Sequence, residues 1–244
     1  MSTLNVICVK WGTKYGPIYV NRLFNMVKKN LTKPFNFYCM TDDATGLTHD
    51  IRVLPIADTS LSGWWHKLSL FKSGFYGLQG TALYLDLDVV ITGSLDPLID
   101  YEPEHFCIMR DTGRNKWDKF NSSIMRFELG TLNYVWDGFV YNQKWIADNM
   151  EGDQDWIGLL VPSALTYPEK WVVSYKKHCH AQGWSMLGLG EWLMKKDWIK
   201  PQGMAVLPSD ARVVVFHGLP NPQDVIQTSY KQWKKAPWIQ NYWN

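Results

Sequence analysis

The first 91 residues alternate between strand-like and helix-like segments, and this alternation is the strongest constraint on the fold. Helical spacing joins the apolar residues Leu23, Phe24, Val27 and Leu31, which predicts a helix over 18–31. A second helix is predicted over 64–75. Strands are predicted at 4–9, 35–40, 51–56 and 83–91. Such alternation favours an α/β fold with a mixed, mostly parallel sheet that is flanked by helices.

The rest of the chain continues the mixture without a repeat or a linker, which favours a single domain. Further strands are predicted at 106–110, 123–127, 171–175 and 211–216. Thr131 is a candidate cap for a helix that runs to about residue 149. A short helix over 156–161 begins at the acidic sequence Gly152-Asp153-Gln154-Asp155. The C-terminal tail is expected to form a last helix on the core.

Two acids lie in the strand-like sequence of 83–91. Alternation predicts that Tyr84, Asp86 and Asp88 share one face of the strand. Two carboxylates at this spacing can meet one cation, and oxygen donors suit Mg²⁺ or Mn²⁺. The alternative is a half-solvated strand whose outer face carries two acids. In parallel sheets ligands bind beyond the carboxyl ends of the strands. The segments 10–16, 41–43 and 86–88 are therefore expected to meet at one edge.

Composition narrows the class of protein. A net charge of +2 is too balanced to indicate a nucleic-acid partner. Cys8, Cys39, Cys107 and Cys179 are far apart, which is typical of buried, reduced thiols. The sequence shows no signal peptide and no apolar run long enough for a membrane span, so a soluble, cytoplasmic protein is expected. The 14 tryptophans suggest flat surfaces for a ring-shaped ligand.

Short motifs are spread over most of the chain: Tyr15 after the first strand, Lys67-Leu68, Asp86-Leu87-Asp88, Asn121-Ser122, Gly152-Asp153-Gln154 and a strand end at His217. In this order they resemble metal-dependent, GT-A-type nucleotide-sugar glycosyltransferases, most like the glycogenin and galactosyltransferase group (glycosyltransferase family 8). The resemblance implies one Rossmann-like domain over 1–244, with a nucleotide-binding half at about 1–100 and a sugar- and acceptor-binding half at about 101–244. It also implies a nucleotide-sugar donor, a UDP-sugar by preference, and a saccharide or other hydroxyl acceptor.

The resemblance assigns roles to particular residues. The implied metal ligands for Mn²⁺ or Mg²⁺ are Asp86, Asp88 and His217. The implied nucleotide contacts are Val9, Lys10, Trp11, Tyr15, Asp42 and Lys67. The implied contacts to the donor sugar are Asp111, Asn121 and Ser122, with Asp153 and Gln154 near the anomeric carbon. Each has a structural alternative: a solvated lysine, a packed loop tyrosine, a capping acid, or a histidine bonded to backbone.

The chain departs from the family pattern after His217. The family carries a lysine shortly after this histidine, whereas this sequence continues Gly218-Leu219-Pro220-Asn221. The positive charge for the diphosphate then has to come from elsewhere, with Arg110, Arg114 and Lys116 as candidates. An extra acid, Asp155, follows Gln154. Asp153 or Asp155 is a candidate general base for an inverting reaction, or an electrostatic partner in a retaining one.

Two other functional classes stay open at this point. A carbohydrate-binding, lectin-like protein would also be rich in tryptophan and hold a divalent ion. A nucleotidyltransferase would share the acidic pair, but it normally has a Gly- and Arg/Lys-rich opening loop, and 10–16 is not such a loop. The tail residues Tyr230, Trp233 and Trp238, among lysines, could also rest on a membrane surface as a peripheral contact.

Overall fold

The computed structural model describes residues 3–56, 60–111, 120–180, 196 and 200–244. The strands are β1 (Leu4–Lys10), β2 (Phe35–Thr41), β3 (Arg52–Pro55), β4 (Thr81–Leu85), β5 (Val89–Ile91), β6 (Cys107–Arg110), β7 (Phe120–Glu128), β8 (Leu165–Thr166), β9 (Val172–Ser174) and β10 (Val213–Val215). The α-helices are α1 (Pro17–Asn30), α2 (Asp96–Asp100), α3 (Asn133–Asn149), α4 (Asp153–Leu160) and α5 (Tyr175–His178). A 3₁₀ helix spans Gly63–Phe71, and shorter ones span Phe75–Gly77, Pro222–Val225 and Pro237–Asn241.

Seven strands form the central sheet, in the order β3-β2-β1-β4-β7-β6-β8. The pairs β1–β2, β1–β4, β2–β3 and β6–β8 are parallel, whereas β7 is antiparallel to β4 and β6. Apolar side chains alternate between two clusters, one with α1 and the other with the 3₁₀ helix and α3. This confirms the predicted single-domain α/β fold with a mixed, mostly parallel sheet. The division into halves near residue 100 stays a prediction.

Helix α1 follows from its local sequence. Pro17 occupies the first turn, where a missing N–H costs nothing. Val20, Leu23 and Val27 face the core, and Lys28 and Lys29 lie in the last turn, where the helix dipole favours cations. The helix starts and ends one residue earlier than predicted, which is the ordinary uncertainty of helix ends.

Two helix predictions need correction. The helix predicted over 64–75 is a 3₁₀ helix that ends at Phe71, before Gly74 adopts the left-handed backbone conformation at φ +64°. Thr131 does not cap α3, which starts at Asn133. Its hydroxyl instead donates a hydrogen bond to the Glu128 carbonyl at 2.8 Å and closes the turn after β7.

The acidic stretch is not one strand, as alternation predicted. β4 ends at Leu85, and the chain then crosses to a second, three-stranded sheet with the order β5-β10-β9. The Asp86 N–H donates to the Ser123 carbonyl at 2.8 Å, and the Phe216 N–H donates to the Asp88 carbonyl at 3.3 Å. Asp86 is thereby fixed to the central sheet and Asp88 to the second sheet.

The tail packs on the core. Trp243 is buried with its ring 5.3 Å from that of Tyr19, and the Trp238 indole donates to the Ala205 carbonyl at 3.0 Å. Its last helical element is the 3₁₀ helix Pro237–Asn241. All four cysteines are buried and unpaired, as predicted. None of the helices in the described ranges combines the length and hydropathy that a bilayer crossing requires.

Candidate functional site

A cavity of about 440 Å³ opens at the carboxyl edge of the central sheet, between the ends of β1 and β4 and the start of α4. Its wall is made by Val9, Trp11, Lys14, Tyr15, Gly63, Trp64, Lys67, Tyr84, Asp86, Leu87, Asp88, Asn121, Ser122, Ser123, Glu151, Gly152, Asp153, Gln154, Phe216, His217 and Gly218. Parallel strands end together at this edge, which is the physical reason that segments distant in sequence meet here.

Most of the residues that the sequence singled out line this one cavity. They are Val9, Trp11, Tyr15, Lys67, Asp86, Asp88, Asn121, Ser122, Asp153, Gln154 and His217. Lys10, Asp42, Asp111 and Asp155 do not line it. The predicted roles of all these residues stay predictions, but the residues of the first group line the same cavity.

Lys67 lies at the floor of the cavity and contacts several of its polar side chains. Its ammonium lies 3.0 and 3.2 Å from the two carboxylate oxygens of Asp86, 3.7 Å from Asp153 Oδ2 and 3.2 Å from the Ser122 hydroxyl. Burial alone would lower the pKa of Lys67, but the Asp153 and Asp86 charges outweigh burial and raise it. Lys67 is therefore a buried ammonium held by two carboxylates, and not the solvated lysine that most helix surfaces carry.

The two acids of the motif are held differently. The Tyr84 hydroxyl donates to Asp86 Oδ1 at 2.6 Å, and the Tyr15 hydroxyl donates to Asp88 Oδ2 at 2.8 Å. Burial, reinforced by the charge of Asp86, raises the pKa of Asp88 to about 7, against the hydrogen bond from Tyr15 and the charge of Lys14. Burial and the neighbouring Asp88 in turn raise the pKa of Tyr15. Asp86 and Asp88 thus hold two acidic groups close together, and a further cation would reduce the repulsion between them.

Asp153 is the most buried acid of the cavity, with its side chain 5% exposed. Burial raises the pKa of its carboxyl, and the charge of Lys67 opposes this. Its Oδ2 has no hydrogen-bond partner in the described part of the chain. This oxygen forms an ion pair with Lys67 at 3.7 Å, and it can still accept a hydrogen bond from a ligand hydroxyl or accept a proton.

The antiparallel register of the second sheet brings His217 to the acidic pair. Val215 pairs with Val89, so the chain after β10 runs back along Asp88 and Leu87. His217 Nε2 lies 2.7 Å from the Ser174 hydroxyl. In the described ranges, no group of three or more His, Cys, Asp or Glu side chains is arranged so that it could hold a metal ion. Nε2 of His217 could join Asp86 and Asp88 as a ligand only by exchanging its contact with Ser174.

An irregularity in β7 presents Asn121 and Ser122 to the cavity. The pairing of β6 with β7 jumps from Ile108–Met125 to Met109–Asn121, so β7 carries extra residues at this point. Bulges of this kind bend a strand and redirect its side chains. Asn121 was predicted to precede a strand, but it lies inside β7.

The four predicted residues outside the cavity wall make local contacts instead. Lys10 donates to the Asp43 carbonyl at 3.1 Å, and Asp42 accepts the Gly12 N–H at 2.8 Å. These two bonds tie the ends of β1 and β2 to the loop that carries Trp11. Asp111 forms an ion pair with Lys177 at 3.6 Å.

Asp155 is a capping residue by its geometry. Its carboxylate accepts the Glu151 N–H at 2.9 Å, and it lies in the first turn of α4. We expect Asp155→Ala to lower the free energy of unfolding by about 1 kcal/mol, since that N–H loses its acceptor. The midpoint of thermal unfolding should fall by about 2–4 °C, and Asp155→Asn should fall less because an amide oxygen still accepts. A variant of unchanged stability that loses ligand binding would instead place Asp155 in the functional site.

The sequence did not single out several lining residues: Lys14, Trp64, Tyr84 and Glu151. Lys14 and Lys67 are the cavity's lysines in the described part of the chain. Arg110 does not line the cavity; its guanidinium donates to the Thr166 hydroxyl at 3.2 Å. Arg114 and Lys116 lie outside the described residues. Two signals were available from the sequence: Lys14 is next to Tyr15, and alternation places Tyr84 on the strand face of Asp86.

Neither a protein-family model nor a curated protein matches the chain. Solved structures do match it. The apo form of the glycosyltransferase GlyE from Streptococcus pneumoniae TIGR4 is similar over 100% of this chain and 60% of that chain, with a TM-score of 0.65 and 11% identity. The galactosyltransferase LgtC, in complex with donor and acceptor sugar analogues, is similar over 89% of this chain and 88% of that chain, with a TM-score of 0.57 and 14% identity.

The bifunctional glycosyltransferase WbbM is also similar, over 91% of this chain and 47% of that chain, with a TM-score of 0.57 and 11% identity. At sequence identities this low, the similarity concerns the arrangement of the backbone alone. The chain therefore has the GT-A-type α/β fold that these glycosyltransferases share.

Proposed function

We propose that this protein is a metal-dependent glycosyltransferase that moves a sugar from a UDP-sugar to a hydroxyl group of a saccharide acceptor. One observation carries the proposal: a single cavity at the carboxyl edge of the sheet joins Asp86 and Asp88 with the buried Asp153. Trp11 and Tyr15 at the same cavity offer aromatic faces for the base of a nucleotide.

The charge of the cavity wall suits a divalent cation. Four carboxylates (Asp86, Asp88, Glu151 and Asp153) face two lysines (Lys14 and Lys67). Asp86 and Asp88 would hold Mn²⁺ or Mg²⁺, with His217 as a third ligand once its bond to Ser174 is exchanged. When bound, such an ion supplies positive charge to the diphosphate leaving group.

The chain's own residues would hold the donor in place. Lys67 fixes the carboxylates of Asp86 and Asp153, and the Tyr15 hydroxyl fixes Asp88. Lys14 is exposed at the cavity wall, so its ammonium can reach a phosphate that the buried Lys67 does not contact. We assign to Lys14 the positive charge that the family takes from a lysine after the late histidine. Asp153 Oδ2, which accepts no hydrogen bond in the described ranges, would act at the transferring sugar.

Calorimetry with UDP, Mn²⁺ and free monosaccharides separates this function from a lectin-like one. We expect UDP to bind with Mn²⁺ present and to lose at least about tenfold in affinity in a chelator, equal to about 1.4 kcal/mol. A protein that binds free monosaccharides with the same affinity whether or not UDP and Mn²⁺ are present, and that does not bind UDP, is a lectin. That result would contradict the proposal.

A further inference from the structure

Trp64 and Trp65 are consecutive tryptophans that point in different directions. The Trp65 ring stacks on Phe139, with 5.5 Å between centroids and 18° between planes. Trp64 lines the cavity and is 51% exposed. A 3₁₀ helix has three residues per turn, so neighbouring side chains point about 120° apart. The helix thus buries one indole in the core and presents the next at the cavity.

Trp64 lies at a defined place on the rim. A Cβ placed on Gly152 would lie 3.7 Å from Trp64 Nε1, so the indole is next to the start of α4. Gly63, the residue before Trp64, is close to Trp11, since a Cβ on Gly63 would lie 3.8 Å from Trp11 Cζ2. The Trp64 indole therefore lies next to the helix start that carries Asp153, and the backbone just before it passes the loop that carries Trp11.

The floor and the rim of the cavity differ in chemistry. The floor is polar and buried, with Lys67, Asp88, Ser122 and Asp153 each less than a tenth exposed. The rim on the side of Trp64 is formed by its indole, a large apolar ring that is partly exposed to solvent. A ligand that meets both surfaces needs polar groups toward the floor and an apolar face toward the indole. A pyranose ring has both, because its C–H groups cluster on one face and its hydroxyls lie around the edge.

We propose that Trp64 is the platform on which a pyranose ring of the acceptor stacks. The inference rests on the proposed function and extends it from any hydroxyl acceptor to a pyranoside. In the proposed function, Trp11 and Tyr15 at the end of β1 contact the nucleotide base, and the charged floor binds the donor's diphosphate. The half-exposed Trp64 indole beside α4 then remains available to the acceptor, which enters from solvent.

Saturation-transfer NMR on the full chain tests this assignment. The probes are methyl β-galactopyranoside, methyl α-glucopyranoside, lactose, maltose and cellobiose, with UDP and Mg²⁺ present because Mn²⁺ would broaden the resonances. We expect signals from ring C–H protons with the wild type. Trp64→Ala should weaken pyranoside binding about tenfold or more, whereas Trp64→Phe should retain part of the binding. The UDP affinity of both variants should be unchanged.

Trp145 provides the matched control. It is a tryptophan of similar exposure, 54%, on α3, and it does not line the cavity. Trp145→Ala should bind UDP and pyranosides as the wild type does. Circular dichroism and thermal unfolding verify that each variant is folded.

Four results would overturn the inference, and they lead to three different conclusions. If Trp64→Ala weakens UDP binding and not pyranoside binding, Trp64 is a contact of the base. If no pyranoside binds the wild type while UDP and metal do, or if Trp64→Ala changes neither, the acceptor platform is wrong and the proposed transferase function stands. If UDP does not bind the wild type with metal, the proposed function fails, and the acceptor assignment fails with it.

Discussion

Asp88→Asn is expected to abolish sugar transfer and, at the same time, to stabilise the metal-free protein. Burial and the charge of Asp86 raise the pKa of Asp88 to about 7, from a usual value of 3.8. Between these pH values the folded protein keeps a proton that the unfolded chain has released, so stability falls as pH rises. Above pH 7 the Asp88 carboxyl is ionised, and the full cost of burying its charge destabilises the folded protein. The neutral amide of asparagine avoids it, and its oxygen can still accept the bond from the Tyr15 hydroxyl.

The measurement is thermal unfolding in a chelator from pH 5 to 8.5, together with transfer assays in Mn²⁺. The gain of Asp88→Asn over the wild type should grow with pH and reach on the order of 2 kcal/mol at pH 8. Transfer should fall by at least about 10²-fold, as for other lost electrostatic groups. A wild-type transfer rate, or a variant less stable than the wild type at pH 8, would contradict the assignment.

Asp96 is the matched control because its environment has the opposite effect. Burial raises the pKa of Asp96, but hydrogen bonds from Ser94, Thr32 and Lys33 outweigh burial and lower it. Asp96→Asn should therefore destabilise the protein at neutral pH and leave transfer unchanged, since Asp96 does not line the cavity. If Asp88→Asn raises the free energy of unfolding at neutral pH and Asp96→Asn lowers it, the Asp88 carboxylate serves binding and the Asp96 carboxylate serves folding.

The location of the cavity could be predicted from the sequence, since its determinants are local. Strand-like runs that are followed by Lys10 and by Thr41-Asp42, together with a third run that carries Asp86, predict a parallel sheet with polar groups at its carboxyl edge. Side chains alternate between the two faces of a strand, so periodicity predicts that Leu83 and Leu85 share a face, and both belong to the cluster that contains α1. These inferences need no knowledge of which distant segments touch.

The arrangement within the site depends on distant pairings that periodicity does not contain. Leu83, Leu85 and Leu87 alternate as in one strand, yet the strand ends at Leu85 because β5 pairs with β10, more than a hundred residues later. For the same reason, the sequence could not place Ser174 beside His217 or Lys67 beside Asp153. The sequence also could not show that the carboxylates of Asp42 and Asp155 accept hydrogen bonds from backbone N–H groups.

Lys67→Met is expected to cause the largest loss of stability of any single change in the cavity. Lys67 is nearly buried at 11% side-chain exposure, and it compensates Asp86 and Asp153 at once. Removing one partner of a buried ion pair leaves an uncompensated charge, which costs about 3–5 kcal/mol. The exposed pair Lys144–Asp148, at 3.1 Å, is the control, and Lys144→Met should change stability by less than about 1 kcal/mol.

A double-mutant cycle shows whether the loss arises from the charge. Asp153→Asn alone removes the longer ion pair of Lys67, at 3.7 Å, and leaves the closer one with Asp86 at 3.0 Å, so it should change stability little. In the Lys67→Met background the same substitution removes an uncompensated charge, and we expect it to recover about 1–2 kcal/mol of the loss. Strictly additive effects would mean that the loss comes from side-chain packing. A recovery would show that Lys67 makes a cavity with several buried acids compatible with a stable fold.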